Sequence, residues 1–146
     1  MHTKLSVLVL ALVLAMPANA QEQGAVHKVI TDFFEIFSTR EVDKLSNVCT
    51  DDILIVEDGE LWNRDSIAKF LAKPAPPDFR RENTMKFIDT NIKGQTAWTT
   101  YENTARILAN QRKFIVVWYE TAVLVNENKR WRIRTLHSTT KENRRQ

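Results

Sequence analysis

Asp58, Glu120 and His137 are the side chains best placed in this sequence to move a proton. Asp58 follows Glu57 and precedes Gly59, and a carboxylate at the lip of a pocket can take a proton from carbon next to a carbonyl. Asp-Gly is also ordinary turn chemistry, so both roles stay open for it. Glu120 sits in the middle of a long, otherwise apolar run from Lys113 to Asn126. A carboxylate buried there must be paired, hydrogen-bonded or neutralised. As a functional group it would be an acid or hydrogen-bond donor to a ligand; as a structural one it would be satisfied by neighbouring side chains. His137 would orient Glu120, shuttle a proton near neutral pH, or serve as a hydrogen-bonded core histidine.

A register argument brings these residues together. Four runs separated by short turn segments, Met85 to Ile92, Thr96 to Leu108, Lys113 to Asn126 and Arg130 to Ser138, read as an antiparallel meander. With Asn110-Gln111 at the centre of one hairpin, Tyr101 faces Glu120 and Asn103 faces Trp118. With Asn128-Lys129 at the centre of the next, Glu120 faces His137. Directly opposed residues carry Cβ atoms about 4.5–5.5 Å apart on one face, so a row Tyr101–Glu120–His137 crosses three strands. Trp118, Ala122, Leu124, Trp131 and Ile133 share its parity, which makes this the concave, helix-covered side. A slip of one residue would move the whole row to the other face.

The elements that position the row come first in the chain. Val26, Val29, Ile30, Phe33, Phe34 and Phe37 form a wide apolar stripe on an amphipathic helix, after a loose lead-in at Gln21 to Gly24. A shorter helix turns Val42, Leu45, Val48 and Cys49 inward. Ile53 to Val56 reads as a buried strand, and Asp65 as the cap of a third helix that the prolines from Pro74 onward end. Helices first and long strands afterwards mean an α+β domain, with the helices packed on one face of a bent antiparallel sheet.

At the N-terminus, Lys4, the apolar run Leu5 to Met16 and the small-x-small triplet Ala18-Asn19-Ala20 have the form of a secretory signal peptide over 1–20. The expectation is a secreted or periplasmic domain over 21–140 with a basic tail at 141–146 and no membrane attachment after cleavage. A net charge of +3 gives no reason to expect nucleic acid as a partner. Cys49 is the sole cysteine, so no disulfide forms within the chain, and a buried, inert thiol is expected. Two candidate ligands, Glu120 and His137, do not make a metal site. His27 is placed at the surface.

The order of these segments resembles a known family. The run Thr50 to Gly59, then Arg64-Asp65-Ser66-Ile67, and Trp131-Arg132-Ile133 leading into His137-Ser138-Thr139 are similar to the SnoaL-like and DUF4440 branch of the nuclear-transport-factor-2-like superfamily. The resemblance implies three helices wrapping a strongly bent sheet into a cone with a pocket. It also implies a comparison with the ketosteroid isomerases, in which Asp58 matches the general base and Glu120 the strand acid. In those enzymes an apolar site keeps the strand acid neutral, so that it can donate a hydrogen bond. The position matching their oxyanion-hole tyrosine is Phe34, which has no hydroxyl.

Two functions remain. One is an exported protein binding a small apolar or carbonyl-containing molecule without catalysis, with Tyr101, Trp118, Trp62, Phe34 and Asn103 as ligand contacts. The other is a cofactor-free isomerase or lyase using Asp58 as base and Glu120 as acid. Aromatic residues on strands also fill cores and subunit contacts. On the opposite parity, Trp98 with Ile115, Val117, Val123 and Val125 forms an apolar outer face suited to a homodimer.

Overall fold

The computed structural model describes residues 18–146. The expected signal peptide therefore lies outside the described residues except for Ala18–Ala20, which open the first helix. That helix, α1 (Ala18–Thr39), carries the aromatic stripe inward, with Val26, Ile30, Phe33, Phe34 and Ile36 all buried. The expected loose lead-in at Gln21 to Gly24 is helical instead, and the Gln23 amide donates to the Thr90 carbonyl at 3.0 Å. His27 is also not a free surface residue. It stacks on Phe87 with ring centroids 3.7 Å apart and bonds the Thr90 hydroxyl at 2.8 Å, and burial lowers its pKa.

A 3₁₀ turn at Val42–Lys44 leads into the single-turn α2 (Leu45–Val48) and then β1 (Cys49–Glu57). A tight turn through Asp58 and Gly59, both at positive φ, returns the chain as β2 (Glu60–Asn63). Helix α3 (Arg64–Ala72) is capped by Asn63 rather than Asp65. The Asn63 side chain accepts from the Ser66 amide at 2.9 Å, and the Ser66 hydroxyl accepts from the Asn63 amide at 2.7 Å. Ile67 and Leu71 on α3 complete its contact with the core.

The long strands β3 (Arg80–Lys93), β4 (Thr96–Ala109), β5 (Arg112–Glu127) and β6 (Arg130–Arg145) form the expected meander. The six strands lie in the order β2-β1-β6-β5-β4-β3. The sheet is mixed, not purely antiparallel, because β1 pairs parallel to β6, with Val56 opposite His137. The expected basic tail is the end of β6: Phe114 pairs with Arg145, and the Gln146 amide donates to the Lys113 carbonyl at 2.9 Å.

Register decides which residues face the helices. The β4–β5 hairpin has the expected pairs, Tyr101 with Glu120 and Asn103 with Trp118. In the β5–β6 hairpin Leu124 pairs with Ile133, but Val123 pairs with Thr135, so Arg134 is a bulged extra residue. A bulge reverses parity. Trp131 and Ile133 face inward before it; Leu136 and Ser138 face inward after it. His137 is turned to the outer, exposed face beside Thr121, and the expected Glu120–His137 pair does not form.

Candidate functional site

Between α1, α3 and the concave sheet face lies a cavity of about 250 Å³, just below the usual range for ligand sites (~300–1,000 Å³). Phe33, Phe34 and Phe37 from α1, Phe70 from α3, Trp62 from β2 and Trp118 from β5 contribute aromatic rings to its wall. The aromatic stripe of α1 is therefore a pocket lining as well as core. Trp62 meets Phe70 edge-on with centroids 5.7 Å apart. The expected contacts Phe34, Trp62, Trp118 and Asn103 all line this cavity, whereas Tyr101 lies fully buried outside its lining.

Glu120 occupies the polar end. Only 4% of it is exposed. Its carboxylate accepts from the Ser138 hydroxyl at 2.9 Å and from the Asn103 amide at 3.3 Å. Burial dominates over these two donors and raises its pKa from the usual 4.5 to about 7. The Tyr101 hydroxyl faces the same carboxylate but completes no hydrogen bond, and burial pushes its ionisation well above the ordinary range. A buried hydroxyl left unpaired costs roughly 1–3 kcal/mol. The arrangement is a carboxyl poised between its two protonation states at neutral pH, which is what proton exchange with a ligand oxygen requires.

Asp58 is not part of this cavity. At the exposed β1–β2 turn its two oxygens accept from the Thr140 amide at 2.9 Å and the Thr140 hydroxyl at 2.5 Å, and those bonds hold its pKa below the usual carboxylate range. It clasps the turn to β6. The residue one position earlier takes the inward place: Ile53, Ile55 and Glu57 alternate toward the core, and Glu57 lines the cavity. Desolvation, with the nearby charge of Asp58, raises the Glu57 pKa, and Arg81 opposes this. Strand alternation from the buried Ile53 and Ile55 already distinguishes Glu57 from Asp58 in the sequence.

Arg81 is the second cavity residue that sequence reasoning does not single out. It lies at the start of β3, and its guanidinium carbon stands 5.3 Å from the Phe37 ring centroid and 5.7 Å from that of Trp118. Desolvation lowers its pKa, while the charges of Glu120 and Glu57 work the other way. Cys49 is buried and donates to the Leu45 carbonyl at 3.1 Å, with its thiol pKa pushed up by burial to about 11; such a thiol is inert. Among the described residues no group of three His, Cys, Asp or Glu side chains is placed to hold a metal ion.

The sequence model of the SnoaL-like domain matches residues 26–139, from the first buried valine of α1 to the strand that carries Ser138. The chain belongs to the SnoaL-like domain family. Solved structures place this SnoaL-like domain in the nuclear-transport-factor-2-like fold. A protein from Kribbella flavida superposes with a TM-score of 0.74 at 13% identity, over 86% of this chain and 95% of its own. A ketosteroid isomerase-like protein from Erwinia carotovora atroseptica gives 0.67 at 9% identity, over 84% and 98%. A hexachlorocyclohexane dehydrochlorinase from Novosphingobium barchaimii gives 0.70 at 10% identity, over 88% and 92%. At such identities the likeness is one of fold. No curated protein sequence matches the chain significantly.

Proposed function

We propose that this SnoaL-like domain is an exported protein, secreted or periplasmic, that binds a compact and mostly apolar molecule with one polar oxygen-bearing end. The observation that carries the reading is the contrast within one cavity. Six aromatic side chains line the wall, and the buried Glu120, with its Ser138 and Asn103 partners, forms the end. The aromatic wall supplies affinity through apolar burial, and the polar end supplies orientation. A ligand carbonyl seated at Glu120 accepts a hydrogen bond from the protonated carboxyl. Titration with 2-acetonaphthone tests this: saturable quenching of Trp62 and Trp118 fluorescence is expected, and its absence contradicts the reading. Export is tested by sequencing the mature N-terminus, which should begin at Gln21.

A second reading is proton transfer without a cofactor, favoured by the two inward carboxyl groups, Glu57 and Glu120, whose pKa values are both raised. Glu57 as carboxylate removes a proton from carbon next to the carbonyl while Glu120 gives its proton to the carbonyl oxygen, forming an enol. Return of the two protons, with carbon reprotonated elsewhere, gives an isomer. Turnover of a cyclic enone that Glu57→Gln abolishes would support this reading, and no turnover of any such substrate would end it.

The same protein is proposed to be a homodimer through the outer sheet face. On that face Trp98 is 40% exposed and pairs with Val123, and Tyr119 is 45% exposed, with Ile115 and Val125 half-buried along β5. An exposed tryptophan beside half-buried valines is apolar surface of the kind that subunit contacts cover.

A further inference from the structure

Arg81 is a desolvated cation without a contact counterion. Its Nε donates to Asn83 Oδ1 at 3.1 Å. Among the described residues its terminal nitrogens make no hydrogen bond and no ion pair within 4.0 Å. Glu57 and Glu120 act on it only through the longer-range field. Buried charges are ordinarily paired, because an unpaired one carries its full desolvation cost.

The guanidinium is also fixed in place. Asn83, which accepts from Nε, is itself held to α1 by donating to the Phe34 carbonyl at 3.2 Å and the Ser38 hydroxyl at 3.1 Å. The Phe37 and Trp118 rings lie within cation–π distance, 5.3 and 5.7 Å. One edge of the group is thus anchored, the terminal N–H donors make no bond among the described residues, and the residue lines the cavity. A rigid planar fork of parallel donors matches a carboxylate, which accepts two of them at once. The neighbouring groove, also lined by Arg81, carries Arg80, Arg106 and Lys113 as well as Glu35 and Glu82.

We infer that Arg81 recognises an anionic oxygen pair on the ligand, so that the cavity prefers a compact apolar carboxylate over the neutral carbonyl compound of the same skeleton. This rests on the reading of the cavity as a ligand site. In that pose the ring system lies against Phe34, Trp62 and Trp118, and the carboxylate bridges from the Arg81 fork toward Glu120, whose proton it shares. Glu120 is about half protonated at neutral pH and mostly protonated below it, which reduces the repulsion between facing carboxylates, and burial disfavours the charged form of Glu57, the other carboxyl of the cavity, as well.

Equilibrium binding of 2-naphthoate and 2-acetonaphthone to the purified protein at pH 6.5 tests the inference. The wild type should bind the carboxylate at least about tenfold tighter than the ketone. Arg81→Met should bring that ratio close to one, and Arg81→Lys, which keeps the charge but not the fork, should retain part of it. Equal affinities in the wild type, or a ratio that Arg81→Met leaves unchanged, would overturn the inference. Ketone binding without carboxylate preference removes only this inference; binding of neither compound removes the ligand-site reading and this inference with it.

Discussion

The Ser138 hydroxyl donates to Glu120 Oε1 across 2.9 Å, on the inner face where β5 and β6 lie side by side. Both side chains are almost wholly buried, at 2% and 4% exposure. The bond exists because the bulge at Arg134 turns Ser138 inward. It ties the protonation of the cavity to the register of the last hairpin.

Glu120 should make the protein less stable as pH rises. Its carboxyl has a pKa of about 7 folded against a usual 4.5, so between those values the folded state holds more protons than the unfolded one. Stability is complete below about pH 4.5 with respect to this group and is lost as pH climbs to about 7, by roughly 3 kcal/mol. Glu57 on β1, Arg81 on β3, Tyr101 and Asn103 on β4 and Ser138 on β6 are the polar groups around it, and Glu57 adds to the upward shift. Glu120→Gln should flatten this segment of the curve and raise Tm at pH 8 above the wild type. A Glu120→Gln protein with the wild-type pH profile would mean that folding does not raise the pKa of this carboxyl.

Ser138→Ala should shift the Glu120 titration upward, because the hydroxyl stabilises the carboxylate form. His137→Ala should leave it in place, since His137 lies on the outer face. Carbonyl chemical shifts of Glu120 followed against pH distinguish the two variants. Equal shifts would contradict the inward-facing Ser138.

The difference between those residues marks what the sequence could reveal. Local patterns are legible: the α1 stripe, the capping region of α3, and the β4–β5 hairpin, where Tyr101 and Glu120 pair across an unbroken ladder. The β5–β6 hairpin begins in its expected register too, with Leu124 opposite Ile133. No turn signal announces the bulge at Arg134, and one extra residue exchanges His137 for Ser138. The parallel β1–β6 pairing joins segments some eighty residues apart and has no local signature either. Asp58 and Glu57 show a simpler limit: a match by segment likeness points to the exposed residue, and strand alternation points to its neighbour. Arg81 is illegible because its partners, Phe37 and Trp118, come from α1 and β5.

Asp58→Asn should leave ligand binding untouched. The exposed turn tolerates Asn at a φ of 48°, and one acceptor for Thr140 remains. A stability loss of about 1 kcal/mol or less is expected from thermal or urea unfolding. Abolished binding or turnover with the fold intact would restore Asp58 to the site.

Trp98→Glu should dissociate the dimer proposed through the outer sheet face. Light scattering across a concentration series would show the wild type at twice the monomer mass and the variant at the monomer mass. A wild-type monomer at every concentration would contradict the outer-face interface, without touching the cavity.

The cavity itself is tested most directly by amide and side-chain NMR during titration with 2-acetonaphthone. Shifts should concentrate on the Asn103 side-chain amide, the Trp62 and Trp118 indoles and the Ser138 backbone, saturating together at one dissociation constant. Changes confined to the groove at Arg106 and Lys113, or no saturable change at all, would contradict a ligand site closed by Glu120.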